Sequence, residues 1–333
     1  MTLGLNRTHK VENWIFLSVT ILNLTPIFIG EFFPTMDGPA HLYNSNLINS
    51  LLFDSSLSDF FNFNKEPIPN WTGHIFLSII NKFAPAFIAE KGLLIFYFIG
   101  LPYAFRRLIK VINSQNILFS YLIFPFTYSS LFLLGFYNFS IAIIFMFISV
   151  QYWIKHEENL SSSIRMKIIL FSFITLTYFS HIFVFAITLL ILGLNILFKT
   201  VFQVISDSNN LKKYMVIALK KIKTLIIVSF IPLLLFCSYF YFRSASGNNI
   251  FLEPQELIDW LKNLRPIIVY NTTIEEEYTK KIFYVIAILL IIAFFNRINA
   301  IGMKLNSSSR VKLHSIIKDN FFISDLWIIA TAI

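Results

Sequence analysis

Two groups of ionisable side chains near the N-terminal end have the types and spacing needed for chemistry. Asp37 and His41 lie about one helical turn apart in Glu-Phe-Phe-Pro-Thr-Met-Asp-Gly-Pro-Ala-His, residues 31–41. Asp37 stands just ahead of Pro39, which is typical of a helix N-terminus, and we expect that helix to run to about residue 53. A carboxylate there can act as a general base, or a metal ligand, towards an acceptor hydroxyl or amine. The alternative is that Asp37 only caps the helix and that His41 is an ordinary interfacial histidine.

The second group follows in Glu-Pro-Ile-Pro-Asn-Trp-Thr-Gly-His, residues 66–74. It carries Glu66 and His74, which we take as candidates for substrate binding. The prolines predict a loop, and the apolar spacing after them predicts a second amphipathic helix over residues 75–83. Two interfacial helices joined by an acidic, aromatic loop form a structured segment, and a simple spacer between spans does not need one.

Further polar side chains are candidates for substrate binding, each with a plainer alternative. Arg243 and Arg265 suit bidentate contact with a phosphate, or they anchor the chain at the membrane edge. His181 either lines a cavity or is solvated at a turn. Tyr137 and Asn138, at another outer turn, either border a site or belong to an aromatic belt.

The elements that must position these residues are membrane helices, because the composition is not that of a water-soluble domain. Apolar residues make up 56% of the chain and charged residues 14%, with a mean hydropathy of +0.68, against about 25% charged residues in soluble domains. Backbone polar groups must be paired internally in lipid, so we predict an all-α, polytopic transmembrane helix bundle. Cys237 is the single cysteine, which excludes an intrachain disulfide.

Apolar runs, several of them free of charged side chains, predict eight spans and the beginning of a ninth, within one membrane domain over residues 1–333. The predicted spans are residues 14–30, 86–105, 117–135, 136–154, 166–180, 182–198, 225–242 and 281–295. The run at 166–180 could instead join the next one as a single helix broken near His181. The outer loops are then 31–85, with the interface helices, and 243–280. The ninth span begins at Phe321 and has only 13 residues, Phe321 included, so we expect a chain truncated within that span.

The distribution of charge predicts a cytoplasmic N-terminus. With that orientation most of the 27 Lys and Arg residues fall on the cytoplasmic side and most of the 18 Asp and Glu residues fall outside. The net charge of +9 is therefore a topology signal, and we expect no nucleic-acid partner. Residues 211–224 form either an amphipathic helix on the inner leaflet or a solvated basic loop. Residues 253–264 predict an outer helix, which is either a lid or a plain surface helix.

The order of these features resembles a known family. The first part of the chain is similar to bacterial members of the C-type glycosyltransferase superfamily (GT-C). The features that carry the resemblance are, in order, a first span, Asp37-Gly38-Pro39-Ala40-His41-Leu42-Tyr43, two interface helices, the motif of residues 67–74, and Ala89-Glu90-Lys91 before the second span. The resemblance covers roughly residues 14–154.

This resemblance implies a bacterial inner (cytoplasmic) membrane enzyme that uses a polyprenyl-phosphate-linked sugar. It would pass the sugar to a glycan, lipid or protein acceptor on the periplasmic face, with membrane lipid as its surroundings. By position, Asp37 would be the general base or the ligand of a divalent cation, Mg or Mn. Many members carry a pair of acids there, whereas this chain has the single acid of Met36-Asp37-Gly38.

Two other functions stay open at this point. A transporter or flippase for a glycolipid or polysaccharide would use the outer loops as gates. Such proteins tend to place charges and broken helices at the bilayer midplane, and the predicted spans hold almost no charge there. A truncated, inactive homologue is the third possibility.

Overall fold

The computed structural model describes residues 2–54, 57–242, 253–268 and 271–306, and no side chain before residue 10 or after residue 291 is described. Within these ranges every regular element is helical. The predicted ninth span and Arg243 lie outside the described residues.

Twelve α-helices follow one another along the described chain. In chain order they are α1 (Thr2–Leu24), α2 (Gly38–Asn49), α3 (Thr72–Asn81), α4 (Ala86–Ile112), α5 (Phe124–Thr127), α6 (Ser130–Leu133), α7 (Tyr137–His156), α8 (Ile164–Ser180), α9 (Ile182–Ser206), α10 (Leu211–Phe242), α11 (Pro254–Lys262) and α12 (Thr272–Asn306). Short 3-10 segments cover Thr25–Phe28, Ser114–Ile123, Ser208–Asn210 and Arg265–Ile267, and a π-helical turn covers Ser50–Asp54.

Six segments of the described chain are long and apolar enough to cross a membrane. They are Lys10–Phe28, Ala86–Ile112, Asn116–Leu133, Tyr137–His156, Ile182–Ile205 and Leu211–Phe242. The predicted helical membrane protein is thereby confirmed. The count of eight to nine spans stays a prediction, because α8 has only 17 residues and the end of the predicted span 281–295 lies beyond the described side chains.

The structure decides between the alternatives that the sequence left open for residues 166–198 and for residues 211–224. The segments 166–180 and 182–198 belong to separate helices, because His181 is extended (φ −161°, ψ 127°) where α8 ends and α9 begins. Residues 211–224 are neither a loop nor a separate helix, since α10 runs through them without a break for 32 residues.

The segment predicted as one helix over residues 117–135 is broken instead. It consists of the 3-10 segment, then α5, then α6, and Tyr128 (φ −98°, ψ 48°) interrupts the helical backbone between the last two. Pro125 in the first turn of α5 lacks the N–H that a continuous helix would need there. The break leaves backbone carbonyls near α6 available to other parts of the chain.

The core lies between α4 and α7, with α8, α9 and α10 packed around them. Its largest side chains are aromatic, and the rings of Tyr97 and Phe132 stack with centroids 4.9 Å apart. Buried hydroxyls such as those of Thr177 and Thr188 donate to the carbonyl four residues earlier in their own helix. Such internal pairing is what a lipid environment demands of polar groups.

The helices predicted in the first outer loop are both present, as α2 and α3. They pair through polar side chains: Asn49 Nδ2 donates to the Ser78 carbonyl at 3.0 Å, and Ser78 Oγ donates to Asn49 Oδ1 at 2.6 Å. α3 also packs on α4. Their position at a membrane interface stays a prediction.

Candidate active site

The backbone around Asp37 is fixed by the carbonyls at the end of α6. Met36 N–H donates to the Leu133 carbonyl at 3.0 Å, and Asp37 N–H donates to the Leu134 carbonyl at 3.1 Å. The last carbonyls of a helix have no partner within the helix. The loop therefore supplies donors to α6, and α6 in turn fixes the position of Asp37.

Gly135 makes this close approach possible. Its φ is +90°, and a Cβ added there would lie 2.7–2.9 Å from the N, Cα and Cβ atoms of Asp37. An L-residue meets both backbone strain and a steric clash at this position. The Gly135 carbonyl also accepts a hydrogen bond from His41 Nε2 at 2.8 Å, so one glycine holds both residues of the predicted pair.

The side chain of Asp37 is exposed. Asp37 occupies the N-cap position of α2, as the sequence predicts, but its carboxylate makes no capping hydrogen bond. The cap-only interpretation therefore lacks the contact that would stabilise the helix. The backbone of Asp37 is thus held in place, while its carboxylate stays available to accept a proton.

A buried carboxyl group holds the loop on its other side. Glu90, in the first turns of α4, is 1% exposed. Its Oε2 accepts from Phe33 N–H at 3.1 Å, and its Oε1 accepts from the Tyr137 hydroxyl at 3.1 Å. The Thr35 hydroxyl lies 2.6 Å from the Tyr137 hydroxyl. The chain Thr35, Tyr137, Glu90 thus ties the loop to α4 and α7 two residues before Asp37.

Gly38 shows how tightly this network is packed. A Cβ on Gly38 would lie 2.3 Å from Thr35 Oγ1, 2.9 Å from the Tyr137 hydroxyl and 3.1 Å from Glu90 Oε1. The glycine of the predicted Asp-Gly-Pro motif is therefore needed for the approach of α2 to the network.

His41 and His74 form a contacting pair, although they are far apart in sequence. Their ring centroids are 4.8 Å apart, and the His41 ring also stacks on Tyr137 at 5.1 Å. A carbonyl oxygen can only accept, so His41 Nε2 carries the hydrogen that bonds to Gly135. The Nδ1 atoms of both histidines are buried and lack a hydrogen-bond partner.

The environment keeps both histidines neutral. Burial lowers the pKa of His41, while the hydrogen bond to the Gly135 carbonyl and the nearby Asp37 carboxylate act in the opposite direction. Burial and the neighbouring His41 lower the pKa of His74 to about 4. Neutral imidazoles can accept a proton from a substrate or relay one, which is a role that imidazolium cannot fill.

The loop of residues 66–74 is docked against α7 and α8. Gly73 N–H donates to Asn138 Oδ1 at 2.6 Å, and Asn138 Nδ2 donates to the Asn70 carbonyl at 2.9 Å. The Tyr178 hydroxyl donates to the Pro67 carbonyl at 3.1 Å. These contacts place the start of α3, and with it His74, beside His41.

The remaining predicted residues do not join this group. Glu66 is exposed, and within the described chain no hydrogen bond or ion pair links its carboxylate to Asp37, His41 or His74. His181 packs edge-on against Phe139 with centroids 5.1 Å apart, and burial lowers its pKa. It lies at the helix junction, as predicted.

Arg265 lies in a 3-10 turn that packs on α5 and on α6, and the end of α6 holds the Asp37 segment. Its guanidinium carbon is 5.8 Å from the Trp260 ring centroid. α11 begins with a capping box between Glu253 and Glu256, so the predicted outer helix is present. The turn thus brings a cation to the same side of the bundle as Asp37.

Sequence reasoning did not assign Glu90 or Thr35 a role, and it left Tyr137 and Asn138 undecided. One signal was available for Glu90, because an ionisable residue inside an apolar run is a candidate functional residue by default. Its partners are 57 and 47 residues away, and one sequence contains nothing that pairs them.

A divalent cation bound at Asp37 would need further ligands around it. Among the described residues, no group of three or more His, Cys, Asp or Glu side chains is placed to hold a metal ion. A Mg or Mn ion at Asp37 would take most of its ligands from water and from substrate phosphate, as Mg²⁺ sites commonly do.

Two of the cavities in the described part of the chain are not lined by Asp37. One of about 510 Å³ lies along α2 and α3, where Lys82 Nζ is 3.4 Å from the Phe53 ring centroid. The other, of about 540 Å³, lies between α1, α4, α7 and α8. The Asp37 carboxylate is exposed, and it lies close enough to His41 to act on the pKa of that histidine.

No protein-family model matches this chain, and no curated protein or solved structure matches it significantly. The resemblance to the C-type glycosyltransferase superfamily therefore stays a prediction.

Proposed function

We propose that the protein is a membrane glycosyltransferase that moves a sugar from a polyprenyl-phosphate carrier to an acceptor on its outer face. Asp37 is the general base. The observation that carries the proposal is the exposed Asp37 carboxylate, which makes no capping bond although hydrogen bonds to α6 and the Glu90 network hold its backbone on both sides.

In this reaction the carboxylate takes the proton of the acceptor hydroxyl as the acceptor oxygen bonds to the anomeric carbon. The bond from that carbon to the phosphate oxygen breaks, and the lipid phosphate leaves with the electron pair. A phosphate leaves without protonation by a strong acid, so one carboxylate suffices. Because the Asp37 carboxylate is exposed, donor and acceptor meet on an open face beside His41 and His74.

The leaving phosphate needs a cation, and Arg265 is the candidate within the described chain. Its turn packs on α5 and α6, and a guanidinium suits bidentate phosphate contact. Arg243, which precedes the same outer loop, stays a candidate from the sequence alone.

The test is Asp37→Asn in the full-length protein, reconstituted in liposomes with polyprenyl-phosphate sugars and candidate acceptors. Release of polyprenyl phosphate and glycosylated product are measured by mass spectrometry. We expect transfer to fall by at least about 100-fold, the typical contribution of a general base. Asp59→Asn is the matched control, because Asp59 is an exposed acid in the same outer segment. It should transfer like the unmodified protein.

Undiminished transfer by Asp37→Asn would exclude Asp37 as the base. An equal loss in the Asp59 control would assign the effect to the charge of the loop rather than to one carboxylate. Binding of the donor lipid, measured separately, should change little in either variant, because the base acts on the acceptor.

A transporter is the second candidate, and the broken segment Asn116–Leu133 favours it, since transporters build binding sites from discontinuous helices. The freed groups here are occupied by the protein itself. The Thr127 carbonyl accepts from the Tyr97 hydroxyl at 3.0 Å, and the Leu133 carbonyl accepts from Met36 N–H at 3.0 Å. Sugar-lipid translocation in liposomes without acceptor would favour the transporter.

A further inference from the structure

Two adjacent arginines near the C-terminal end of α4 have very different surroundings. The Arg106 guanidinium binds both carboxylate oxygens of Glu12, donates to Asn13 Oδ1 at 2.7 Å, and lies 4.2 Å from the Phe16 ring centroid. Arg107 is exposed, and no hydrogen bond or ion pair to its side chain occurs in the described part of the chain. Arg106 stabilises the bundle, whereas Arg107 has its charge available.

Arg107 lies at one end of the cavity of about 540 Å³ between α1, α4, α7 and α8, which we call the groove. Most of the lining is apolar, with Leu17, Ile99 and Ile148 among its members. Gln151 lies on α7 near the same end as Arg107. The groove is therefore amphipathic, because its lining is apolar along most of its length and carries a cation and an amide at one end.

The dimensions of the groove match one leaflet. Along α4 the lining extends from Phe96, near the middle of the helix, to Arg107, close to its basic end. Eleven residues rise about 16 Å in an α-helix, which is about half of the ~30 Å hydrocarbon core. Along α7 the lining likewise runs from Ile144, near mid-helix, towards the same end. A chain lying in this groove would reach from the headgroup level to the bilayer centre.

We propose that this groove is a specific site for an anionic glycerophospholipid. One acyl chain fills the apolar part between α1, α4 and α7, and the lipid phosphate binds the Arg107 guanidinium. The argument rests on the apolar lining, the single-leaflet length and the available cation at the headgroup end. Basic pockets between membrane helices bind anionic headgroups for the same electrostatic reason. The site is independent of Asp37 and of the proposed transfer reaction.

The test is native mass spectrometry of the full-length protein after exchange into detergent with equal amounts of phosphatidylglycerol and phosphatidylcholine of identical chains. The unmodified protein should retain phosphatidylglycerol preferentially. Arg107→Gln should lower that preference about fivefold, the factor equivalent to about 1 kcal/mol for one cation at an anionic lipid surface. Lys110→Gln is the matched control, because Lys110 is exposed at the same basic end but does not line the groove.

A second variant tests the apolar part. Ile99→Trp enlarges a half-exposed lining side chain, so it should reduce retention of both lipids while leaving Arg107 in place. Glycerol phosphate, which has no acyl chains, should not compete at concentrations where the lipid saturates.

Three results would overturn the proposal. The first is equal retention of the two lipids by the unmodified protein. The second is an equal loss in Arg107→Gln and Lys110→Gln, which would indicate a diffuse basic surface. The third is competition by glycerol phosphate at low concentration, which would indicate a free phosphate site without an acyl chain.

Discussion

Removal of the Tyr137 hydroxyl is the most direct way to test how the loop that carries Asp37 is held. In the structure this hydroxyl accepts from Thr35 and donates to Glu90, and all three side chains are buried. Tyr137→Phe keeps the ring, its stacking on His41 and the packing volume. It removes one oxygen atom, so the packing of the core should not change.

The expected loss in the free energy of unfolding follows from the buried polar atoms that Tyr137→Phe leaves without a hydrogen-bond partner. Glu90 Oε1 loses its donor and the Thr35 hydroxyl loses its acceptor, and a buried group left unpaired costs about 1–3 kcal/mol. Glu90 keeps the Phe33 N–H on its other oxygen, which limits the loss. We expect the free energy of unfolding to fall by about 2–4 kcal/mol.

The assay is reversible unfolding in mixed micelles, followed by far-UV circular dichroism, with Tyr103→Phe as the control. Tyr103 belongs to the same helix as Glu90, and no hydrogen bond to its hydroxyl occurs within the described residues. The control should lie within about 0.5 kcal/mol of the unmodified protein. If Tyr137→Phe also lies within that range, the network does not hold the loop and the reasoning is refuted.

Two further predictions concern the same region. Gly135→Ala combines a φ of +90° with contacts under 3 Å to Asp37. We therefore expect the free energy of unfolding to fall by at least about 2 kcal/mol in the same assay. Gly193→Ala is the control, because Gly193 has open space around it, and this variant should be neutral or stabilising. Neutral His74 has a pKa of about 4 in the folded protein against 6.5 when unfolded, so the unfolded chain binds more protons between these values. Stability should therefore fall by up to about 3 kcal/mol as the pH drops from 6.5 to 4, and a pH profile unchanged in His74→Gln would contradict this.

The helices were predictable from the sequence because their causes are local. Long apolar runs predict spans, and Pro39 and Pro254 mark the first turns of α2 and α11, as the structure has them. The break within Asn116–Leu133 was missed, although Pro125 is a local signal for it. Hydropathy averages over a window and does not register where a helix is interrupted.

The candidate site was predictable only in part, because its contacts are not local. The sequence singled out Asp37, His41 and His74 by residue type and predicted the helix on which His41 lies. It placed His74 in the loop just before the second helix, which in the structure begins at Thr72. Nothing in one sequence shows that His41 and His74 touch, since that contact requires α2 and α3 to pair through Asn49 and Ser78.

The conformation of the Asp37 segment depends on three separate helices. One of them, α4, buries the carboxyl group of Glu90 near its start, and this carboxyl group accepts a hydrogen bond from the loop. A buried carboxyl is costly unless donors satisfy it, and Glu90 receives one donor from the loop and one from α7. α6 supplies the carbonyls on the other side of the loop. The loop therefore has this conformation only in a bundle where α4, α6 and α7 are packed together. The cost of burying Glu90 is offset by contacts that exist in one arrangement of the bundle, and that arrangement fixes where the Asp37 carboxylate lies.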